Sequence, residues 1–249
     1  MAEEFALPDL LRTVGFTAAV GLLWVVTGRL RERGVGRDGD IRKVNHVAAF
    51  TGGALVFGWL AEPTARASLY AVGLELLLLV AVVCRFRARP PFRQAFAANT
   101  RAADAPREAF HFWSSWLISL LALAAIDLAF GQMAVTRTAA LVVGVADGLG
   151  EPVGRRFGRH RYRVPAPVGR PAVRSVEGSL AVLFGALAVL LAATSPGRAG
   201  VEGWLLAAAG IAVAVTVVEA VSPRGTDNGT VPLAAAWLVH ESRAAEWLA

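Results

Sequence analysis

Apolar positions along this chain gather into long runs separated by short polar segments. The runs are about 17–21 residues each, the length a helix needs to cross roughly 30 Å of hydrocarbon. Seven are read this way: Leu10–Gly28, Val44–Ala61, Ser68–Cys84, Phe110–Phe130, Met133–Gly150, Gly178–Thr194 and Val201–Val221. An eighth, Thr230–His240, is shorter, and is expected to tilt, re-enter or lie partly inside protein. The pattern predicts an all-α, polytopic integral membrane protein with about 7–8 transmembrane helices. No long stretch between the runs carries a core pattern of its own, so residues 1–249 are expected to form one membrane-embedded domain. The segment "RFRARPPFRQAFAANTRAADAPRE", from Arg85 to Glu108, reads as a surface helix followed by a linker.

The polar segments differ sharply in charge. The first carries Arg29, Arg31, Arg33, Arg37, Arg42 and Lys43, and the third Arg85, Arg87, Arg89, Arg93, Arg101 and Arg107. The fifth carries Arg155, Arg156, Arg159, Arg161, Arg163, Arg170 and Arg174. The alternate segments, "EPTARA", "GQ" and "SPGRAG", are short and nearly uncharged. Because short loops rich in Lys and Arg stay in the cytoplasm, the odd-numbered segments are expected there and the N-terminus outside. The seventh segment, with Asp227, then shares the cytoplasmic face.

Composition agrees: 55% of the 249 residues are hydrophobic, and mean hydropathy is +0.52. The net charge of +6 fits membrane-edge arginines facing anionic headgroups better than a nucleic-acid surface. The acidic opening "MAEEFALPDL" is unlike a cleaved signal peptide, which starts basic. A lone cysteine, Cys84, excludes an internal disulfide and a thiolate metal cage.

Four polar clusters fall on the expected cytoplasmic face: "IRKVNHV", "VADGLGEPVGRRFGRHRYR", "AVRSVEGSLA" and "SPRGTDNGTVP". Asp147 and Glu219 lie inside or at the ends of apolar runs, and Glu177 begins one. An ionised carboxylate there costs several kcal/mol unless paired, hydrated or metal-bound. Arginine pairing is one resolution. Another is Mg²⁺, which takes hard oxygen ligands, held by Asp147, Glu177 and Asp227 from three separate loops. Gly150, Gly154 and Gly158 are spaced for close helix packing, or for approach of backbone N–H groups to phosphate beside Arg155 and Arg156. Ser175 reads as a helix cap. His46 reads as a buried histidine or a catalytic one. Glu75, near mid-span, is expected to pair with an arginine or to touch substrate.

Taken in order, "RKVNH" (Arg42–His46), "DGLGEPVGRRFGRHR" (Asp147–Arg161), "RSVEGS" (Arg174–Ser179) and "TDNGTVP" (Thr226–Pro232) resemble the polyprenol kinase family of dolichol kinase, phytol kinase and CTP-dependent diacylglycerol kinase. The resemblance covers about residues 42–232. Arg174 stands where that family usually has lysine, and Glu151 and Pro152 where small residues are usual.

The resemblance implies a membrane kinase that phosphorylates a lipid alcohol such as phytol, geranylgeraniol, polyprenol or dolichol, typically with CTP and Mg²⁺. It implies metal ligation by Asp147, Glu177 and Asp227. Nucleotide contacts would come from Arg42, Gly148, Gly150, Gly154, Arg155, Arg156, Gly158, Arg174, Ser175, Gly178, Ser179 and Asn228. Lys43 would touch the transferred phosphate, and Asp227 or His46 would take the hydroxyl proton. Two other readings stand beside it. One is a cytidylyltransferase making a CDP-lipid, although its Lys-Asp and His-Gly-Gly signatures are absent. The other is an ion-coupled transporter, which predicts intramembrane acids along a path through the bilayer.

Overall fold

A computed structural model describes residues 6–166 and 171–249, so Arg170 and the acidic residues at positions 3 and 4 lie outside the described residues. The chain is overwhelmingly helical. Its helices are α1 (Leu7–Glu32), α2 (Asp38–Phe57), α3 (Glu62–Arg85), α4 (Phe92–Asn99), α5 (Glu108–Phe130), α6 (Met133–Val142), α7 (Gly148–Phe157), α8 (Val176–Ala193), α9 (Gly200–Val221) and α10 (Asp227–Ala244). One wide π turn, Val143–Asp147, joins α6 to α7. Among the described residues, six helical stretches are long and apolar enough to cross a membrane: α1, α3, α5, Met133–Phe157, α8 and α9. Each expected run is helical, but α2 and α10 are not in that set. They carry Asp40, Arg42 and Lys43, and Asp227, Glu241 and Arg243, respectively.

Outward-facing positions are apolar. Leu22 is 65% exposed, Phe184 64% and Leu128 79%. A water-soluble helical protein does not leave large apolar side chains exposed on helix after helix; a lipid-facing one does. Met133–Phe157 is different, with 67% of its apolar window buried against 22–39% in the other five. It is the most enclosed of the six, and it carries Asp147.

The chain divides into two compact units, Met1–Leu120 and Leu121–Ala249, with α5 running from one into the other. In the first unit, α1 packs against α2, α3 and α4. Trp24 is fully buried, with ring centroids 5.5 Å from both Phe112 and Trp116. Gly28 sits where a Cβ would collide with the backbone of Gln94, so α4 closes directly onto α1. A buried polar chain ties three helices: the Thr27 hydroxyl donates to Asn45 Oδ1 at 3.1 Å, and Asn45 Nδ2 donates to Asn99 Oδ1 at 3.3 Å. Glu75, expected to pair with an arginine or to touch substrate, is met by hydroxyl groups of α1. Thr13 and Thr17 of α1 bond its two carboxyl oxygens at 2.8 and 2.7 Å.

In the second unit, α8 packs against α6, α7 and α9, and α10 packs against α6 and α9. Val135, Val143, Val182, Leu190, Val215 and Val239 are fully buried in its core. Between α7 and α8 lies a hairpin the apolar pattern does not announce. Its strands β1 (Arg161–Val164) and β2 (Ala172–Ser175) pair antiparallel, with Tyr162 opposite Arg174. The alternation Arg-Tyr-Arg-Val in β1, with Val164 buried, is its only sequence mark.

Candidate functional site

Asp147 closes the π turn, where the helix widens just ahead of α7. Such turns occur preferentially at functional sites. Pro152, four residues on from Gly148, cannot donate to that residue's carbonyl, which further loosens the first turns of α7. Glu219 is the third-last residue of α9, and Asp227 is the first of α10. A carboxylate oxygen from each of Asp147, Glu219 and Asp227 lies within 4.8 Å of the others. Asp147 is 5% exposed and Glu219 7%.

Arg174, at the end of β2, enters this acidic group. Its Nε lies 3.2 Å from Glu219 Oε1, and its Nη2 donates to Asp227 Oδ2 at 3.0 Å. The remaining nitrogen, Nη1, is buried and lacks a hydrogen-bond partner among the described residues. Buried guanidinium N–H groups rarely go without an acceptor, so the site holds a cationic donor ready for an anion. The three carboxylates bring oxygen ligands together beside this guanidinium. The donor set therefore suits a hard cation with oxygen ligands and, beside it, an anionic oxygen.

Local chemistry explains how these residues are held. Gly225 takes φ +83° in the turn before α10, a conformation glycine adopts without strain. The Arg224 N–H donates to Pro165 O at 2.8 Å, tying that turn to the hairpin. Thr226 closes the turn through its hydroxyl to Pro223 O at 2.8 Å. Asp227 Oδ1 accepts the N–H of Asn228 at 3.1 Å, and Asn228 is buried beside it.

Several expected ligands have other work. Glu177 is not part of the acidic group. Its carboxylate accepts the backbone N–H of His160 at 3.3 Å and pairs with His160 Nδ1 at 2.9 Å. From the first turn of α8 it fastens the start of the hairpin, and Glu219 stands with Asp147 and Asp227 instead.

Of the two uses expected of the glycines, packing is the one visible in the structure. A Cβ at Gly150 would lie 2.8 Å from Val182 Cγ2, and one at Gly154 would lie 2.9 Å from Ser175 Oγ. A Cβ at Gly178 would lie 2.7 Å from Gly150 O, and one at Gly158 would collide with Gly154 O. Their bare faces are filled by protein, which lets α7 and α8 touch backbone to backbone. Gly148 is buried at the start of α7. Ser175 caps α8 by accepting the Gly178 N–H at 3.1 Å, and the Ser179 hydroxyl meets that of Tyr162 at 2.7 Å.

Arg155 and Arg156 are exposed at the end of α7. Eight residues of helix put Arg155 about 12 Å along the axis from Asp147. Arg155 lies 3.8 Å from Glu151. Arg42, Lys43 and His46 belong to the first unit, with Lys43 and His46 buried and the His46 ring 4.7 Å from that of Phe50.

The sequence marks Glu219 only by its cost, an acid inside "TVVEAV". That signal is real, since the residue is buried and paired. Compared with known proteins, the chain matches no family model, no curated protein and no solved structure.

Proposed function

We propose that this chain is a membrane lipid-alcohol kinase of the polyprenol kinase type, with its site facing the cytoplasm. The observation that carries the reading is the meeting of Asp147, Glu219 and Asp227 around a part-buried arginine whose buried Nη1 is a free donor. Phosphoryl transfer asks a protein mainly for positioning and charge neutralisation, and this group offers both.

In this reading Asp147, Glu219 and Asp227 would hold Mg²⁺, which would neutralise charge on the nucleotide phosphates. Arg174 stays paired to Glu219 and Asp227 and offers Nη1–H to a phosphate oxygen. Arg155 and Arg156, on α7 of the same unit, add positive charge for the triphosphate, with CTP as the donor. The lipid hydroxyl oxygen attacks the γ-phosphorus, the bond from that phosphorus to the bridging oxygen breaks, and the hydroxyl proton passes to Asp227. The products are a lipid monophosphate and a nucleoside diphosphate. Packed glycines at 150, 154 and 178 serve the site by holding α7 and α8 rigidly together, keeping Asp147 and Arg174 in register.

The test is purified protein with Mg²⁺, γ-labelled CTP or ATP, and a panel of phytol, geranylgeraniol, polyprenol, dolichol and diacylglycerol. Label should enter a lipid with release of nucleoside diphosphate. No label in any of them would overturn the kinase reading. Pyrophosphate release with a CDP-lipid would replace it with cytidylyl transfer.

A further inference from the structure

A second charged feature lies in the first unit and plays no part in the acidic group. The chain turns at the end of α3 and folds α4 back along the last turns of α1. α4 buries Gln94, Ala95, Ala98 and Asn99. Gly28 leaves room for the α4 backbone, and Arg31 donates to Ala97 O and, at 3.2 Å, to Thr100 O. Gln94 Nε2 donates to both oxygens of Glu32 at 3.1 Å, and Arg93 pairs with the same carboxylate at 3.3 Å.

That folding leaves an exposed basic rim. Arg29, Arg33 and Arg37 follow from α1, and Arg85, Arg87 and Arg89 from the end of α3. None of the six forms an ion pair with a described acid, while Glu32 is taken up by Gln94 and Arg93. The Arg87 guanidinium bonds Cys84 O at 2.9 Å, and that of Arg85 lies 5.4 Å over the Phe86 ring. Between these cations stand exposed apolar side chains: Val35 at 54%, Leu30 at 39% and Phe86 at 38%.

We propose that this rim binds the anionic headgroups of the surrounding bilayer, with guanidinium groups on lipid phosphates and Phe86, Leu30 and Val35 in the acyl boundary. Arginine forks match phosphate oxygens, and juxtamembrane basic clusters attract anionic lipid. Charge alone would also suit a soluble polyanion. Apolar side chains exposed on the same rim, at the ends of the membrane-length helices α1 and α3, favour a lipid surface instead. The rim lies outside the proposed phosphoryl-transfer machinery, so the proposal does not depend on the kinase reading.

Full-length protein in neutral detergent micelles should gain thermal stability on titration with phosphatidylglycerol, and much less with phosphatidylcholine. The R85Q/R87Q/R89Q variant should melt near the parent without lipid and need ten- to hundredfold more phosphatidylglycerol for the same shift. R198Q, which removes an exposed arginine paired with Glu246 at 2.8 Å, should titrate like the parent. Native mass spectrometry of the parent should show retained phosphatidylglycerol. Should the triple variant fail to fold, the single R89Q variant carries the comparison, with a smaller shift in the same direction. The proposal falls if the rim variant titrates like the parent, if phosphatidylcholine stabilises equally, or if inorganic phosphate reproduces the effect.

Discussion

Replacing Arg174 with methionine isolates what the guanidinium does for the acidic group. The side chain is 12% exposed, and it reaches Glu219 at 3.2 Å and Asp227 at 3.0 Å. Removing one partner of a buried ion pair costs about 3–5 kcal/mol, because the other charge is left uncompensated. Repulsion points the same way: two ionised carboxylate oxygens no more than 4.8 Å apart repel by at least about 3.5 kcal/mol at an effective dielectric constant near 20. In a chain of this size each kcal/mol moves the melting midpoint by about 2–4 °C, so Arg174→Met should melt roughly 6–20 °C lower in chelator-treated buffer. Arg174→Lys keeps the charge without the fork and should lie between the two. Mg²⁺ should then stabilise the methionine variant, by about 1.4 kcal/mol at ten times its Kd. The assay is thermal unfolding of detergent-purified protein by intrinsic tryptophan fluorescence, with and without Mg²⁺. Melting within a degree or two of the parent would refute the reasoning, because it would mean the acids do not need the arginine.

Gly178→Ala places a methyl group 2.7 Å from Gly150 O and 3.2 Å from Gly154 Cα; forced overpacking should cost about 1–3 kcal/mol, seen as a lower melting midpoint. Ser175→Ala removes the acceptor for the Gly178 N–H and should cost about 1 kcal/mol by the same measurement. Glu75→Gln keeps an oxygen and a donor for Thr13 and Thr17 and should melt close to the parent, whereas Glu75→Leu should melt lower, by about 1–3 kcal/mol for the broken bonds.

Legibility followed the length of the signal. Membrane-length runs announced themselves because about 20 consecutive apolar residues have few other uses. Asp147 and Asp227 were also visible, one as a charge in an apolar run and the other in a turn between two runs. Glu219, and not Glu177, stands beside Asp147 and Asp227, because nearness to a motif along the chain does not fix the face of a helix. Glu177 starts α8 and turns its carboxylate to the nearby His160 N–H, while Glu219, inside α9, faces the buried side where Arg174 waits. Glycines spaced by four fit close packing or approach to phosphate, and the packing against α8 shows only once the helices are placed. The hairpin was hidden because four-residue strands rich in arginine carry too little apolar alternation to stand out.

The most direct test compares γ-phosphate transfer to a lipid alcohol by four purified variants: Asp147→Asn, Glu219→Gln, Asp227→Asn and Glu177→Gln. A site built on Asp147, Glu219 and Asp227 requires the first three to lose about 10²–10³-fold in turnover, the scale for removing one preorganised electrostatic group. Glu177→Gln, which alters only the fastening of the hairpin, should stay within tenfold of the parent. Glu177→Gln as inactive as Asp147→Asn, with Glu219→Gln near normal, would contradict the site described.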